Sequence, residues 1–249
     1  MTLRLTGLLL LLLLLAACAS SPAGQPRHDA KTHYLLGATA LAENNPTLAL
    51  QEFLLAEQVD RRDADIQAGL AQAYMEKRAY ELAEKHLLKA ISLSKGAPQH
   101  YQNLGALYLS MERYDDAIVV FRKVAANLLF ATPEVAWAGI GFAHFRQQDY
   151  AAAEQAYRKA LELNSRYAQA MYRLGELYYA QDRTVEAAEA FARATEINPR
   201  SVDANYWLGL TAMKVGDTPR ARQAFTDTIR LAPDSEQARL ARGYLKTLP

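Results

Sequence analysis

The chain has 249 residues, enough for one or two domains, and its 51% hydrophobic content excludes a disordered polymer. Lys and Arg number 28 against 27 Asp and Glu, so no broad basic field exists to attract nucleic acid. A single cysteine, Cys18, excludes an internal disulfide framework.

Residues 1–17 read as an export signal: Arg4 supplies the positive start, Leu8 to Leu15 an apolar run, and Ala16-Ala17 the small residues before the cut. The run is too short to span a bilayer, which needs about 20 apolar residues. Leu15-Ala16-Ala17-Cys18 resembles the bacterial lipobox, which implies that Cys18 becomes the acylated first residue of the mature chain and anchors it in a membrane. Ala19 after the cysteine resembles an outer-membrane sorting signal, which implies an outer-membrane lipoprotein of a bacterial envelope, facing the periplasm. Loss of Arg4 with the signal would leave 27 basic against 27 acidic residues. Residues 18–29, with Pro22, Gly24 and Pro26, read as a flexible tether between lipid and domain.

A pattern with a period of 34 residues then recurs six times, over 30–63, 64–97, 98–131, 134–167, 168–201 and 202–235. Repeat position 8 is Gly37, Ala71, Gly105, Gly141, Gly175 and Gly209; position 20 is always alanine. Position 24 is Phe53, Leu87, Phe121, Tyr157, Phe191 and Phe225. The one break in the rhythm is Thr132-Pro133. Within each repeat, apolar residues at helical spacing on either side of a short turn predict helix A and helix B. Asn45-Pro46 and Thr218-Pro219 read as an N-cap before a first-turn proline, while Pro199 and Pro233 stop helix B. The small residue at position 8 predicts a close approach of helix B, with the position-20 alanine opposing it and the position-24 ring filling the space between repeats. Residues 236–249 form an amphipathic segment through Ala238, Leu240, Ala241, Tyr244 and Leu245, read as a capping helix.

These marks resemble the tetratricopeptide repeat. The resemblance covers 30–235 and implies an all-α, right-handed superhelical solenoid of six helix pairs plus the C-terminal cap. It further implies a binding protein. No catalytic constellation is legible: there is no G-x-S-x-G elbow, and Gly139-Ile-Gly141 lacks the strand and third glycine of a phosphate loop. The histidines, at 28, 33, 86, 100 and 144, show no paired ligand spacing. No enzyme activity, metal, cofactor or small-molecule substrate is expected.

In the tetratricopeptide family, positions 2, 5, 9, 12 and 13 of helix A point into an inner groove. Carried onto this chain, they give Tyr34 and Leu41 from repeat one, Gln72 and Met75 from two, and Gln102, Ala106 and Leu109 from three. Repeats four to six give Phe142 and Phe145, then Tyr172, Glu176 and Tyr179, then Tyr206, Leu210 and Met213. The aromatic groups of repeats four to six read either as an exposed docking patch or as rings packed on adjacent helices. Asn103 matches one position of the subclass that clamps a terminal carboxylate, but Ala68 and Gln72 replace its basic partners, which favours an extended, partly apolar ligand.

The lipobox, the repeat count, the box Gln102-Asn103-Leu104-Gly105 and the extension in AANLLFATPEVAW resemble the pilotin family of type IV pili, PilF/PilW. That resemblance implies a protein partner, a secretin subunit, which the chain would localise or assemble. The alternative is a periplasmic adaptor for cell-wall hydrolases, outer-membrane assembly or polysaccharide export.

Overall fold

Apolar residues three and four apart, punctuated every 16 to 18 residues by a turn, can bury a continuous face only as stacked helix pairs, and the computed structural model shows this arrangement. It describes residues 25–127 and 130–249, with side chains from Asp29 onward. The export signal, Cys18 and the first part of the tether lie outside the described residues.

The described residues form two compact units, one ending at His100 and one running from Tyr101 to Pro249. In the first, α1 (Gln25–Ala42), α2 (Pro46–Val59), α3 (Ala64–Glu76) and α4 (Tyr80–Leu93) pack in sequence around Ala49, Phe53, Ile66 and Leu70. Helix α5 (Pro98–Ser110) carries the boundary. The second unit continues with α6 (Tyr114–Ala125), α7 (Pro133–Arg146), α8 (Tyr150–Leu163), α9 (Ala168–Ala180), α10 (Thr184–Ile197), α11 (Val202–Lys214) and α12 (Thr218–Leu231). It closes with α13 (Glu236–Thr247), whose Tyr244 stacks on Phe225 at 5.3 Å.

Two boundaries differ from the sequence reading. Helix α1 begins at Gln25, inside the segment read as tether, because Pro26 falls in the first turn, where a proline costs no hydrogen bond. At α12 the cap is Asp217, whose side chain accepts from Arg220 N, so Thr218 is already helical. Asn45 caps α2 as read, accepting from Leu48 N.

Every helix A ends the same way. Asn44, Arg78, Glu112, Gln148, Asp182 and Gly216, all at position 15, adopt left-handed backbone with φ from 57° to 82°. The following amides fold back to close the last turn, as Arg78 N to Met75 O and Ala79 N to Tyr74 O do at 2.8 and 2.9 Å. Only Gly216 takes this conformation without steric cost.

The packing at position 8 has a different cause from the one the spacing suggests. A Cβ on Gly37, Gly105, Gly141, Gly175 or Gly209 would meet the position-24 ring of the same repeat at 2.5–2.7 Å. The ring, rather than the backbone of helix B or the alanine at position 20, excludes a side chain. The same ring also presses on the next repeat: Gly69 lies against Phe53 and Gly139 against Phe121. Helix α7 therefore holds two glycines because two rings, Phe121 and Tyr157, flank it.

In the first unit a buried polar chain crosses between repeats. Gln67, fully buried, donates to Glu57 at 2.9 Å and meets His86 Nδ1 at 2.8 Å, while Lys89 holds Glu57 at 3.0 Å. Burial pushes the His86 imidazole below its ordinary value; Glu57 opposes this, and Lys89 and Lys85 add to it. Burial also lowers His100, which Asp65 partly offsets. A histidine held neutral in the fold contributes its stability in full above its unfolded value, and that contribution is lost as pH falls from there through the lower folded value. Thermal melting between about pH 7.5 and 5.5, spanning the ordinary imidazole value of about 6.5, is therefore expected to show falling stability. His86→Gln should flatten the slope, leaving the share of His100; an unaltered slope would remove His86 from this account.

Candidate partner-binding groove

Of the fifteen side chains assigned to the groove, fourteen are half-buried and Ala106 is exposed. Of the two readings of the aromatic groups, packing accounts for Tyr172, Tyr179 and Tyr206, each half-buried against a neighbouring ring, whereas Phe142 lies under the Arg173 guanidinium at 4.6 Å. Position 5 shows why. Tyr34, Tyr172 and Tyr206 lean on the position-24 rings of their own repeats, Phe53, Phe191 and Phe225, with centroids 5.7, 5.5 and 6.4 Å apart. Burial, followed by the nearby Glu176 carboxylate, pushes the Tyr172 phenol well above its ordinary value, so it stays a hydroxyl.

In the first unit, Tyr34 and Leu41 pack on the core of Phe53 and Ile66. Gln72 donates along its own helix to Glu76 at 3.0 Å, and Met75 sits one turn further on.

In the second unit the predicted residues separate into two groups. Gln102, Ala106 and Leu109 from α5 and Phe142 from α7 line one groove of about 360 Å³ with Val135, Gly139, Tyr167 and Arg173. The Arg173 guanidinium lies over the Phe142 ring at 4.6 Å and binds Glu176 at 2.7 Å, so the carboxylate of Glu176 is already matched. Gln102 Oε1 is shielded from solvent and has no hydrogen-bond partner among the described residues. Asn103 lines the same groove, with Arg173 as a cation across it.

The other group is a ring cluster. Tyr179 meets Trp207 edge-on at 5.0 Å, Trp207 stacks on Phe191 at 6.0 Å, and Tyr206 meets Trp207 at 6.3 Å. Leu210 and Met213 pack beside Phe225 and Tyr244. Phe145 rests on Tyr150 at 5.8 Å. These rings serve packing first.

Arg173 and Trp207 escaped the sequence reading. Both stand at position 6, where Gly69 and Gly139 lie under the preceding ring. Two glycines at one register are a legible sign of a ring above that position. Which large residue would cross the ring is not.

Away from this surface, Glu154 accepts from Arg158, Tyr178 and Arg183 at 2.7, 3.0 and 3.1 Å. Burial alone would push its carboxyl up, but these bonds hold it below the ordinary range. Among the described residues no cluster of three His, Cys, Asp or Glu side chains could hold a metal ion, and no helix is long and apolar enough to cross a membrane.

Models of the tetratricopeptide repeat match residues 64–96, 99–126, 139–202 and 179–243, which together cover most of the chain. The chain belongs to the tetratricopeptide-repeat family. This fold is a protein-interaction scaffold. Over 188 residues the repeats are 24% identical to the type IV pilus assembly protein PilF of Pseudomonas aeruginosa, covering 73% of this chain and 75% of that one. The solved structure of Pseudomonas aeruginosa PilF superposes with a TM-score of 0.69 at 18% identity, covering 88% of this chain and 99% of PilF. PilW, a type IV pilus biogenesis factor, gives 0.71 at 17%, covering 88% and 97%. Yeast Tom70 also reaches 0.71 at 18% identity, covering 88% of this chain but only 46% of Tom70. Shape alone therefore identifies the tetratricopeptide fold and no particular task.

Proposed function

We propose that the chain is a membrane-anchored interaction scaffold that assists type IV pilus biogenesis by localising or assembling the secretin. The observation that carries this reading is the match to PilF in sequence over three quarters of both chains. Cys18 is the proposed point of lipid attachment, which would hold the repeats at the inner side of the outer membrane.

The groove of α5, α7 and α9 is the proposed seat of the partner. Its apolar floor of Leu109, Val135 and Phe142 suits one side chain of an extended segment. Gln102 Oε1 offers an acceptor for a backbone N–H of that segment. Within the second unit Tyr172, Tyr179, Tyr206, Leu210 and Met213 add half-buried edges; Tyr34, Leu41, Gln72 and Met75 present half-buried side chains of their own in the first unit.

The experiment is a gene deletion scored for secretin multimers in the outer membrane and for surface pili. Loss of both, restored by the wild-type chain but not by Cys18→Ala, is the expected result. Normal multimers and normal piliation in the deletion would reject the proposal. Affinity capture that recovers cell-wall hydrolases and no secretin would replace it with the adaptor reading.

A further inference from the structure

At position 24, repeats one, three, five and six carry Phe53, Phe121, Phe191 and Phe225, and repeat two carries Leu87. Repeat four has Tyr157 there, fully buried, and its hydroxyl has no hydrogen-bond partner among the described residues. Packing at this register asks only for carbon, and a hydroxyl shut away without a partner lowers stability. The repeat places that hydroxyl. In repeats one and three the tip of the ring, its Cζ, would stand 2.8 and 2.6 Å from a Cβ at position 6 of the next helix A, at Gly69 and Gly139. The residue at position 6 after Tyr157 is Arg173. Arg173 and, three residues on, Glu176 are the charged groups that act on the phenol, which burial pushes far above its ordinary value. It therefore keeps its proton and can donate it.

Arg173 is also a wall of the groove of α5, α7 and α9, where it lies over Phe142 and pairs with Glu176. One cation–ring contact and one ion pair three residues apart hold it weakly, so the side chain can turn aside. We propose that the Tyr157 hydroxyl is a specificity-determining donor of this groove, hydrogen-bonding a backbone carbonyl of an extended partner segment once Arg173 turns aside. The proposal rests on that groove being the seat of the partner. A neutral carbonyl suits the place better than a carboxylate. Glu176 already matches Arg173 at 2.7 Å, and a second anion beside it would go uncompensated. On the α5 side of the same groove, Gln102 Oε1 is likewise shielded and without a partner. The two unsatisfied groups are of opposite kind, an O–H donor beside α9 and an acceptor on α5. They match the C=O and the N–H of a single main chain laid across the groove.

The test uses the purified full-length chain and short peptides selected against it from a random displayed library, with affinity read by fluorescence anisotropy. Loss of binding to Phe142→Asp identifies the peptides that occupy the groove. Tyr157→Phe should weaken those peptides by about 5- to 10-fold, the effect of one lost hydrogen bond, while its thermal midpoint stays the same or rises. Replacing the backbone amides of a bound peptide one at a time by (E)-alkenes should find one carbonyl whose loss costs the wild-type chain the same factor. That replacement should cost Tyr157→Phe nothing further. Groove peptides that bind Tyr157→Phe as tightly as wild type would overturn this inference and leave the groove standing. A lowered thermal midpoint with unchanged affinity would do the same, since a trapped water would then already satisfy the hydroxyl. Alkene losses that add in full to Tyr157→Phe at every amide would exclude the carbonyl. A selection that yields no peptide sensitive to Phe142→Asp would overturn the groove reading and this inference together.

Discussion

Phe191→Ala is expected to destabilise the second unit by about 3–5 kcal/mol, the range for emptying a fully buried aromatic site. The ring is completely buried, lies against Gly175, and carries Tyr172 at 5.5 Å and Trp207 at 6.0 Å. Neighbouring rings cannot collapse into the void without giving up their own contacts. Gly175→Ala tests the same packing from the other side. Its Cβ would stand 2.6 Å from the Phe191 ring, so overpacking of about 1–3 kcal/mol should exceed the gain of about 1 kcal/mol in helix propensity. In the Phe191→Ala background the obstacle is gone, and Gly175→Ala should then stabilise. Urea unfolding of the two single variants and the double variant measures this reversal of sign. A glycine substitution that costs the same in both backgrounds would mean that the ring is not what excludes the side chain.

Phe142→Asp is expected to weaken secretin capture by at least about 30-fold, the loss of one hot spot of about 2 kcal/mol. The introduced carboxylate would stand where the groove is apolar and would also draw Arg173 away from its place over the ring. Because Phe142 is half-buried and its neighbours Ala138 and Gly139 remain, the helix content should hold, and circular dichroism verifies it. Phe145→Ala and Tyr179→Ala provide the contrast. Their rings pack on Tyr150 and Trp207, so they should lower stability more than they lower capture. Capture that survives Phe142→Asp would move the partner away from this groove.

The contrast between Phe142 and Tyr179 shows how far the sequence reaches into the site. Both stand at positions assigned to the inner face of helix A. Position specifies the side of the helix because 3.6 residues per turn specify direction. It does not specify what stands opposite. Trp207 covers an edge of Tyr179, whereas Phe142 meets the guanidinium groups of Arg173 and Arg146 at the wall of an open groove. Arg173 went unread for the same reason: its position carries glycine in two other repeats, and nothing in the period says that a cation there will bridge Phe142 and Glu176.

The sequence by itself determined the helix pairs, their count, their turns and the layer of small residues, because each of these depends on neighbours within a few turns and recurs every 34 residues. The tertiary structure alone decided which residue makes the glycine necessary, which rings are spent on packing, and where one unpaired acceptor meets an apolar floor. Those choices depend on side chains brought together from different helices, and their sizes and charges vary from repeat to repeat while the spacing stays the same.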